Sequence, residues 1–160
     1  MKIQRLFSNK NTESITLYHV TKIENIPNIK REGLKTKYFK QREENKYLGI
    51  KDTGLIYFVK DKKKLVKPLK PGKDMLLTVK IPIKVYNKMN KLEGDPEWWI
   101  SQRVDNWYEV KAESLRKANP GKFGKITAEE IRRNSTPLEY GSPDNCVCIK
   151  EDISPEYIIW

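Results

Sequence analysis

The sequence predicts a single mixed α+β domain with strands near both ends of the chain. Runs of β-branched and aromatic residues that are typical of strands occur early, at Ile15–His19, and late, at Cys146–Ile149 and Tyr157–Trp160. Between them, Glu97–Ala118 has apolar residues near helical spacing. The chain has 160 residues, of which 38% are hydrophobic, so we expect one domain spanning residues 1–160 around one core.

The strand at Ile15–His19 leads into a predicted short helix. Thr21–Glu24 has the pattern of a capping box, and Pro27 suits a first helical turn. Isoleucines recur every third residue, at Ile23, Ile26 and Ile29. Gly33 stands where a glycine commonly ends a helix, and Leu34 follows as its apolar anchor. The opening therefore reads as strand, helix and stop.

The segment Lys35–Thr53 is polar and is predicted to be a mobile loop. Its six basic residues are Lys35, Lys37, Lys40, Arg42, Lys46 and Lys51, and its aromatic residues are Tyr38, Phe39 and Tyr47. Gly54 then opens a predicted strand at Leu55–Val59. The next segment, Lys60–Lys73, holds seven lysines and one aspartate and is broken by prolines and a glycine.

The second half is predicted to contain a long strand, a long helix and a short helix. The strand covers Met75–Tyr86 and is interrupted at Pro82, and the helix covers Glu97–Ala118. Thr127 and Glu130 form a second capping-box pattern, which opens a short helix through Arg133. Trp98 and Trp99 begin the long helix, where core packing is favoured over a partner surface. A turn at Asp152–Pro155 joins the two final strands.

A formal net charge of +11 favours polyanions through long-range attraction and counterion release. Nucleic acid, a dinucleotide pyrophosphate and an anionic membrane are all compatible with it, as is a surface that is simply rich in solvated lysines. The basic, aromatic loop at Lys35–Thr53 could follow a phosphate backbone while its rings stack on bases, or could be a solvated loop.

Other features of the sequence indicate the cellular location and the absence of a metal site. The first eleven residues lack the apolar region of a secretory signal, and no stretch is long and apolar enough for a membrane span. Cys146 and Cys148 stand two residues apart on a strand, which disfavours a disulfide between them. With His19 as the single histidine, no zinc-ligand pattern exists. We therefore expect no metal and a cytoplasmic location.

Taken singly, the residues that could carry chemistry have ordinary structural explanations. A lone histidine such as His19 is more often structural than functional. Tyr57 could be a core aromatic residue of its strand. Their order along the chain is more informative than either residue alone.

Leu17-Tyr18-His19-Val20-Thr21, then Glu32-Gly33-Leu34, then Gly54-Leu55-Ile56-Tyr57-Phe58, resembles the ADP-ribosyltransferase superfamily. The similarity is to the branch related to diphtheria toxin and the poly(ADP-ribose) polymerases. It covers about the first 60 residues and the last 20. The resemblance implies an ADP-ribosyltransferase-like α+β fold of split antiparallel β-sheets with short flanking helices, and NAD as a substrate.

The resemblance also implies roles for individual residues. His19 would bind a ribose hydroxyl of NAD, the backbone of Val20 would hold the nicotinamide amide, Thr21 would brace the site, and Tyr57 would stack on the nicotinamide ring. The full set of implied NAD-binding positions is His19, Val20, Thr21, Gly33, Leu34, Tyr57 and Phe58. Cleavage of the glycosidic bond builds positive charge on the ribose, which a nearby carboxylate stabilises.

Two residues compete for the role of that carboxylate. Alignment of the chain's last segment with the terminal strand of the polymerases gives Asp144, whose side chain is one methylene shorter than glutamate, and Glu139 is the alternative. The predicted catalytic set is therefore His19, Tyr57, Asp144 and Glu139. Many relatives have a second stacking aromatic after the strand tyrosine; here Tyr38, Phe39 or Tyr47 could replace it.

The predicted function is an NAD-dependent mono-ADP-ribosyltransferase that releases nicotinamide and acts inside a cell as a toxin or as a defence or phage effector. The basic surface favours nucleic acid or a nucleic-acid-binding protein as the acceptor. One alternative is a degenerate module that binds NAD, ADP-ribose or RNA. Another is an RNA 2′-phosphotransferase, because Asp144–Tyr157 also resembles the final strand pair of those enzymes.

Overall fold

The computed structural model describes residues 13–65, 69–134 and 141–160. Its strands are β1 (Ser14–Lys22), β2 (Ile56–Val59), β3 (Asp74–Pro82), β4 (Lys91–Glu93), β5 (Cys146–Ile149) and β6 (Ile158–Ile159). Its α-helices are α1 (Ile26–Glu32), α2 (Glu43–Tyr47), α3 (Ile83–Lys88), α4 (Pro96–Ser101), α5 (Trp107–Ala118), α6 (Pro120–Phe123) and α7 (Ala128–Asn134). Turns of 3₁₀ helix occur at Ile23–Asn25, Thr36–Tyr38, Lys62–Lys64 and Pro155–Tyr157. The mixed α+β class is confirmed.

The strands form one open, antiparallel sheet in the order β4-β5-β2-β1-β3-β6. It consists of two three-stranded halves, β4-β5-β2 and β1-β3-β6. A single paired position, Tyr18 opposite Val59, joins them, whereas β1 and β3 pair over their full lengths. Where two separate sheets were predicted, the described residues therefore form a continuous sheet with a narrow joint.

The core lies on one face of this sheet. Leu17, Phe58, Leu77 and Val147 come from four different strands and are at most 1% exposed. Ile29 of α1 packs in the same cluster. All four residues of β5 are buried, so both faces of the sheet are covered at this strand.

The helix-stop signal at Gly33 is confirmed. Helix α1 has Pro27 in its first turn, and Gly33 caps its C terminus with φ +76° and ψ −160°, a region that only glycine adopts readily. An antiparallel bridge follows, in which Leu34 and Ile153 exchange backbone hydrogen bonds of 2.9 and 2.8 Å. The predicted capping box at Thr21 is wrong, because β1 continues through Lys22 and no side chain caps the turn that follows.

The proline at position 82 ends β3 rather than interrupting it, so the predicted strand over Met75–Tyr86 is wrong beyond that point. Proline has no N–H for the ladder, and helix α3 begins at the next residue. The final strands are confirmed at Cys146–Ile149 and, in shortened form, at Ile158–Ile159.

The predicted helix over Glu97–Ala118 is two helices, α4 and α5. Asn106 separates them with φ +57°, a left-handed conformation that asparagine tolerates and that cannot continue an α-helix. By contrast, the capping signal before α7 is confirmed: Thr127 Oγ1 accepts the Glu130 backbone N–H at 3.2 Å.

The segment between α1 and β2 is not the uninterrupted loop that was predicted. It contains a 3₁₀ turn, helix α2 and a buried polar pair, in which Asn45 Nδ2 donates to Asp52 Oδ2 at 2.7 Å.

No helix in the described ranges has both the length and the apolar character that crossing a bilayer requires.

Candidate functional site

His19 lies where the two halves of the sheet separate. Strands β1 and β2 pair at a single position, Tyr18 opposite Val59. His19 Nδ1 donates a hydrogen bond to the Tyr57 carbonyl oxygen at 2.8 Å. The His19 side chain thus adds a link between β1 and β2 close to their paired position.

The surroundings of His19 favour its neutral form. The side chain is 7% exposed, and its ring lies 5.5 Å from the Phe58 ring and 5.7 Å from the Phe39 ring between centroids. Burial lowers the pKa of His19 below 6.5, and the hydrogen bond to Tyr57 opposes this only in part. Because a carbonyl can only accept, Nδ1 carries the proton and Nε2 offers a lone pair.

The Tyr57 side chain points to the opposite face of the sheet from the His19 ring. Directly paired residues of antiparallel strands share a face and faces alternate along a strand, so Tyr57 lies on the face of Tyr18 and Val59. His19 and Phe58 share the other face, in agreement with their ring contact. The structure brings His19 to the backbone of Tyr57 rather than to its ring.

The Tyr57 ring is covered by Arg42, whose guanidinium carbon lies 4.8 Å from the ring centroid. The phenolic hydroxyl is buried and has no hydrogen-bond partner among the described residues. Burial raises the pKa of Tyr57, and the carboxylate of Asp95 raises it further. A buried hydroxyl without a partner is costly, and it is common where a ligand or a water completes a site.

Arg42 is held in place from its backbone. Its N–H donates to Asp52 Oδ1 at 3.1 Å, and the Asp52 side chain is 1% exposed. The pair formed by Asp52 and Asn45 thereby fixes the segment that crosses Tyr57. The sequence indicated a basic, aromatic loop here but not that Arg42 would meet the strand tyrosine.

Asp95 is the carboxylate that acts most strongly on Tyr57. It caps helix α4, where its Oδ1 accepts the Glu97 backbone N–H at 2.8 Å. Burial raises the pKa of Asp95, while the capping bond, Arg42 and Lys111 act in the opposite direction. Sequence reasoning missed this residue, although aspartate directly before Pro96 is a helix-start signal.

Neither predicted carboxylate is brought to this place by the described residues. Asp144 is exposed in the turn before β5, and Cys148, which pairs with Tyr57, stands four residues further on. Glu139 lies outside the described residues.

The other predicted NAD-binding positions divide between surface and core. Val20 is 39% exposed, and Thr21 is partly buried near the end of β1. Leu34 and Phe58 are core residues, and Gly33 lies directly against the backbone of Ile153. Of the three candidate stacking aromatics, Phe39 contacts the His19 ring, whereas Tyr38 and Tyr47 are more than half exposed.

No protein-family model, curated protein or solved structure matches the chain. The resemblance to ADP-ribosyltransferases therefore stays a prediction from the sequence.

Among the clefts on the described surface are two that are not lined by His19 or Tyr57. The larger, of about 720 Å³, lies between Thr36, Val85 and Tyr157. The smaller, of about 340 Å³, lies between Leu55, Leu92 and Trp99. Because the His19 and Tyr57 rings lie on opposite faces of the sheet, a ligand that reached both would have to pass the joint between β1 and β2 as well as displace Phe39 and Arg42.

Proposed function

We propose that the chain is an NAD-dependent mono-ADP-ribosyltransferase that transfers ADP-ribose to a macromolecular acceptor and releases nicotinamide. The observation that carries the proposal is the hydrogen bond between His19 and the Tyr57 carbonyl. It joins the His19 ring to the backbone of Tyr57 at the joint between the two half-sheets, and the order of these two residues along the sequence suggested the activity.

The geometry suggests how each residue would act. His19 uses Nδ1 on Tyr57, which leaves the Nε2 lone pair to accept a hydrogen bond from a ribose hydroxyl. The Tyr57 ring would stack on nicotinamide in the position that Arg42 now occupies. Because the His19 and Tyr57 rings lie on opposite faces of the sheet, productive binding requires β1 and β2 to separate at their joint and the segment containing Phe39 and Arg42 to move. The Arg42 cation is then free to pair with the pyrophosphate.

A carboxylate is needed when the bond between nicotinamide and the ribose C1′ breaks. Nicotinamide leaves with the bonding electron pair, positive charge develops on the ribose, and an acceptor nucleophile then bonds to C1′ and loses a proton. We favour Asp95 over Asp144 for this role, because the Asp95 charge acts on the Tyr57 hydroxyl and its side chain is partly buried, whereas Asp144 is exposed.

The test is nicotinamide release from NAD by purified protein, with and without RNA, DNA or cell lysate. His19→Ala should abolish release, because both the strand joint and the ribose contact are lost. Tyr57→Phe should retain most activity and Tyr57→Ala should lose it, since the ring provides the stacking and the hydroxyl has no partner. Circular dichroism confirms that each variant is folded. Full activity in His19→Ala would overturn the proposal.

The identity of the acid is tested separately with matched amides. Asp95→Asn keeps the helix cap, because asparagine accepts the same backbone bond, but removes the charge. It should reduce release by orders of magnitude, while Asp144→Asn, at an exposed position, should have little effect. The reverse pattern would restore Asp144 as the catalytic residue.

A second candidate is a binding module without turnover. The closed arrangement favours it: Arg42 covers Tyr57, and neither open cleft is lined by His19 or Tyr57. NAD or ADP-ribose would then raise the melting temperature of the wild type but not of His19→Ala, and no nicotinamide would appear. Nicotinamide release would exclude this candidate.

A further inference from the structure

A cleft of about 340 Å³ lies beside the candidate site and combines an apolar floor, an exposed indole and three cations. Its volume falls in the range of small-ligand sites. The lining residues on its floor are Ile50, Leu55, Leu92, Pro96 and Ile100, and those at its rim are Trp99, Lys51, Arg103 and Lys150.

The indole of Trp99 is fixed in position while part of it remains exposed. Its Nε1 donates to the Glu93 carbonyl oxygen at 2.7 Å, and Trp98 packs edge-on at 4.9 Å between ring centroids. The residue is still 37% exposed. A ring held on its polar edge and open on part of its surface is a preorganised stacking platform.

The three cations at the rim are not neutralised by neighbouring acids. Lys51, Arg103 and Lys150 are exposed, and no acidic side chain is among the described residues that line the cleft. The acids next to Lys51 and Lys150 are engaged elsewhere: Asp52 accepts from Arg42 and Asn45, and Glu151 accepts the Asn90 N–H. Asp105, two residues from Arg103, is exposed and does not line the cleft. The rim therefore attracts anions.

The cleft opens on the same face of the sheet as the Tyr57 ring. Leu92 is paired with Cys148, which is paired with Tyr57, so all three side chains share that face. At the usual spacing of strands, Leu92 is about 10 Å from Tyr57. A molecule in the cleft would lie next to the residue at which nicotinamide is proposed to stack.

We propose that this cleft binds one nucleotide unit of single-stranded nucleic acid, with the base stacked on Trp99 and the adjoining phosphates paired with Lys51, Arg103 and Lys150. An apolar floor suits the flat base, and the cations suit the phosphates. A duplex does not fit, because its bases are hidden in the stack. The inference rests on the proposed function in one respect: the bound strand would be the acceptor of ADP-ribose. Binding of the strand is measured without NAD and does not depend on that function.

The test is fluorescence anisotropy of a labelled ten-nucleotide DNA and the matching RNA, titrated with the wild-type chain at several salt concentrations. Trp99→Leu should weaken binding at least fivefold, the lower end of what one stacked base contributes. Trp99→Phe, which keeps a ring, should recover much of the affinity. A labelled duplex of the same sequence should bind more weakly than the single strand.

The role of the three cations is tested with two triple variants that each remove three positive charges. Lys51→Gln with Arg103→Gln and Lys150→Gln should lower the slope of log affinity against log salt by up to about 1.4, at roughly 0.7 for each of the two phosphates that adjoin one nucleotide. The matched control changes three exposed lysines elsewhere, Lys62, Lys63 and Lys125, to glutamine. Equal losses in both triples, or an unchanged affinity in Trp99→Leu, would overturn the assignment.

These results separate the two proposals. Nicotinamide release without Trp99-dependent binding would leave the transferase standing and refute the cleft assignment. Binding that depends on Trp99, in a chain that never releases nicotinamide, would support the cleft assignment and refute the transferase.

Discussion

Replacement of Gly33 by alanine tests how the helix end at the edge of the core is built. An added Cβ would lie 1.9 Å from the Ile153 carbonyl oxygen and 2.9 Å from the Pro155 nitrogen, which are both backbone atoms. The alanine would also need φ near +76° with ψ near −160°, which costs about 1–3 kcal/mol.

Because backbone cannot rotate away as a side chain can, the clash must separate the two segments. That movement breaks the two hydrogen bonds between Leu34 and Ile153, each worth about 1 kcal/mol. Together the terms predict a loss of about 3–5 kcal/mol in the free energy of unfolding. With a urea m-value of about 2 kcal/mol/M, the unfolding midpoint falls by roughly 1.5–2.5 M.

Gly49 provides a matched control. It has φ +71°, close to that of Gly33, but an added Cβ would meet no atom within 4 Å. Gly49→Ala should therefore show only the backbone cost, about 1 kcal/mol. Urea titrations followed by tryptophan fluorescence measure both variants. If Gly33→Ala loses no more stability than Gly49→Ala, the close approach to Ile153 has been misjudged.

Three further predictions follow from side chains already described. The folded pKa of His19 is below its unfolded value of 6.5, so the unfolded chain binds more protons below that pH, and stability falls as pH falls. In the wild type this trend amounts to at most about 1.4 kcal/mol per pH unit, and His19→Gln should abolish it. The prediction is contradicted if the urea midpoint changes between pH 8 and pH 5 by the same amount in His19→Gln as in the wild type. Cys146 and Cys148 are free and buried, and the neighbouring Cys146 thiol together with burial raises the pKa of the Cys148 thiol, so a thiol reagent should label both only after denaturation. Thr127→Ala should lower stability by about 1 kcal/mol, and Thr21→Ala, which removes no helix cap, by less.

Local signals predicted the elements whose causes are local. Gly33 and Thr127 were found because a glycine stop and a threonine cap act within a few residues of their own helix. The helix over Glu97–Ala118 was predicted whole because apolar spacing continues across Asn106, whose left-handed backbone leaves no mark in that spacing.

The candidate site was only partly predictable, because sequence patterns report local causes and the site is formed by segments that are distant along the chain. His19 and Tyr57 stood out through the order of short motifs. Arg42 and Asp95 reach Tyr57 from different segments, through the burial of Asp52 and the start of helix α4. The order of residues along the sequence does not show which distant segments meet in the folded chain.

The position of β5 in the sheet has a consequence for how the chain is made. Cys146–Ile149 lies between β2 and β4, which precede it by more than fifty residues along the chain. During synthesis, β2 and β4 therefore have no common partner until residues 146–149 have left the ribosome, whereas β1 and β3 can pair much earlier. A nascent chain stalled before that point exposes the apolar edge of β2, and is the species that a chaperone would be expected to hold.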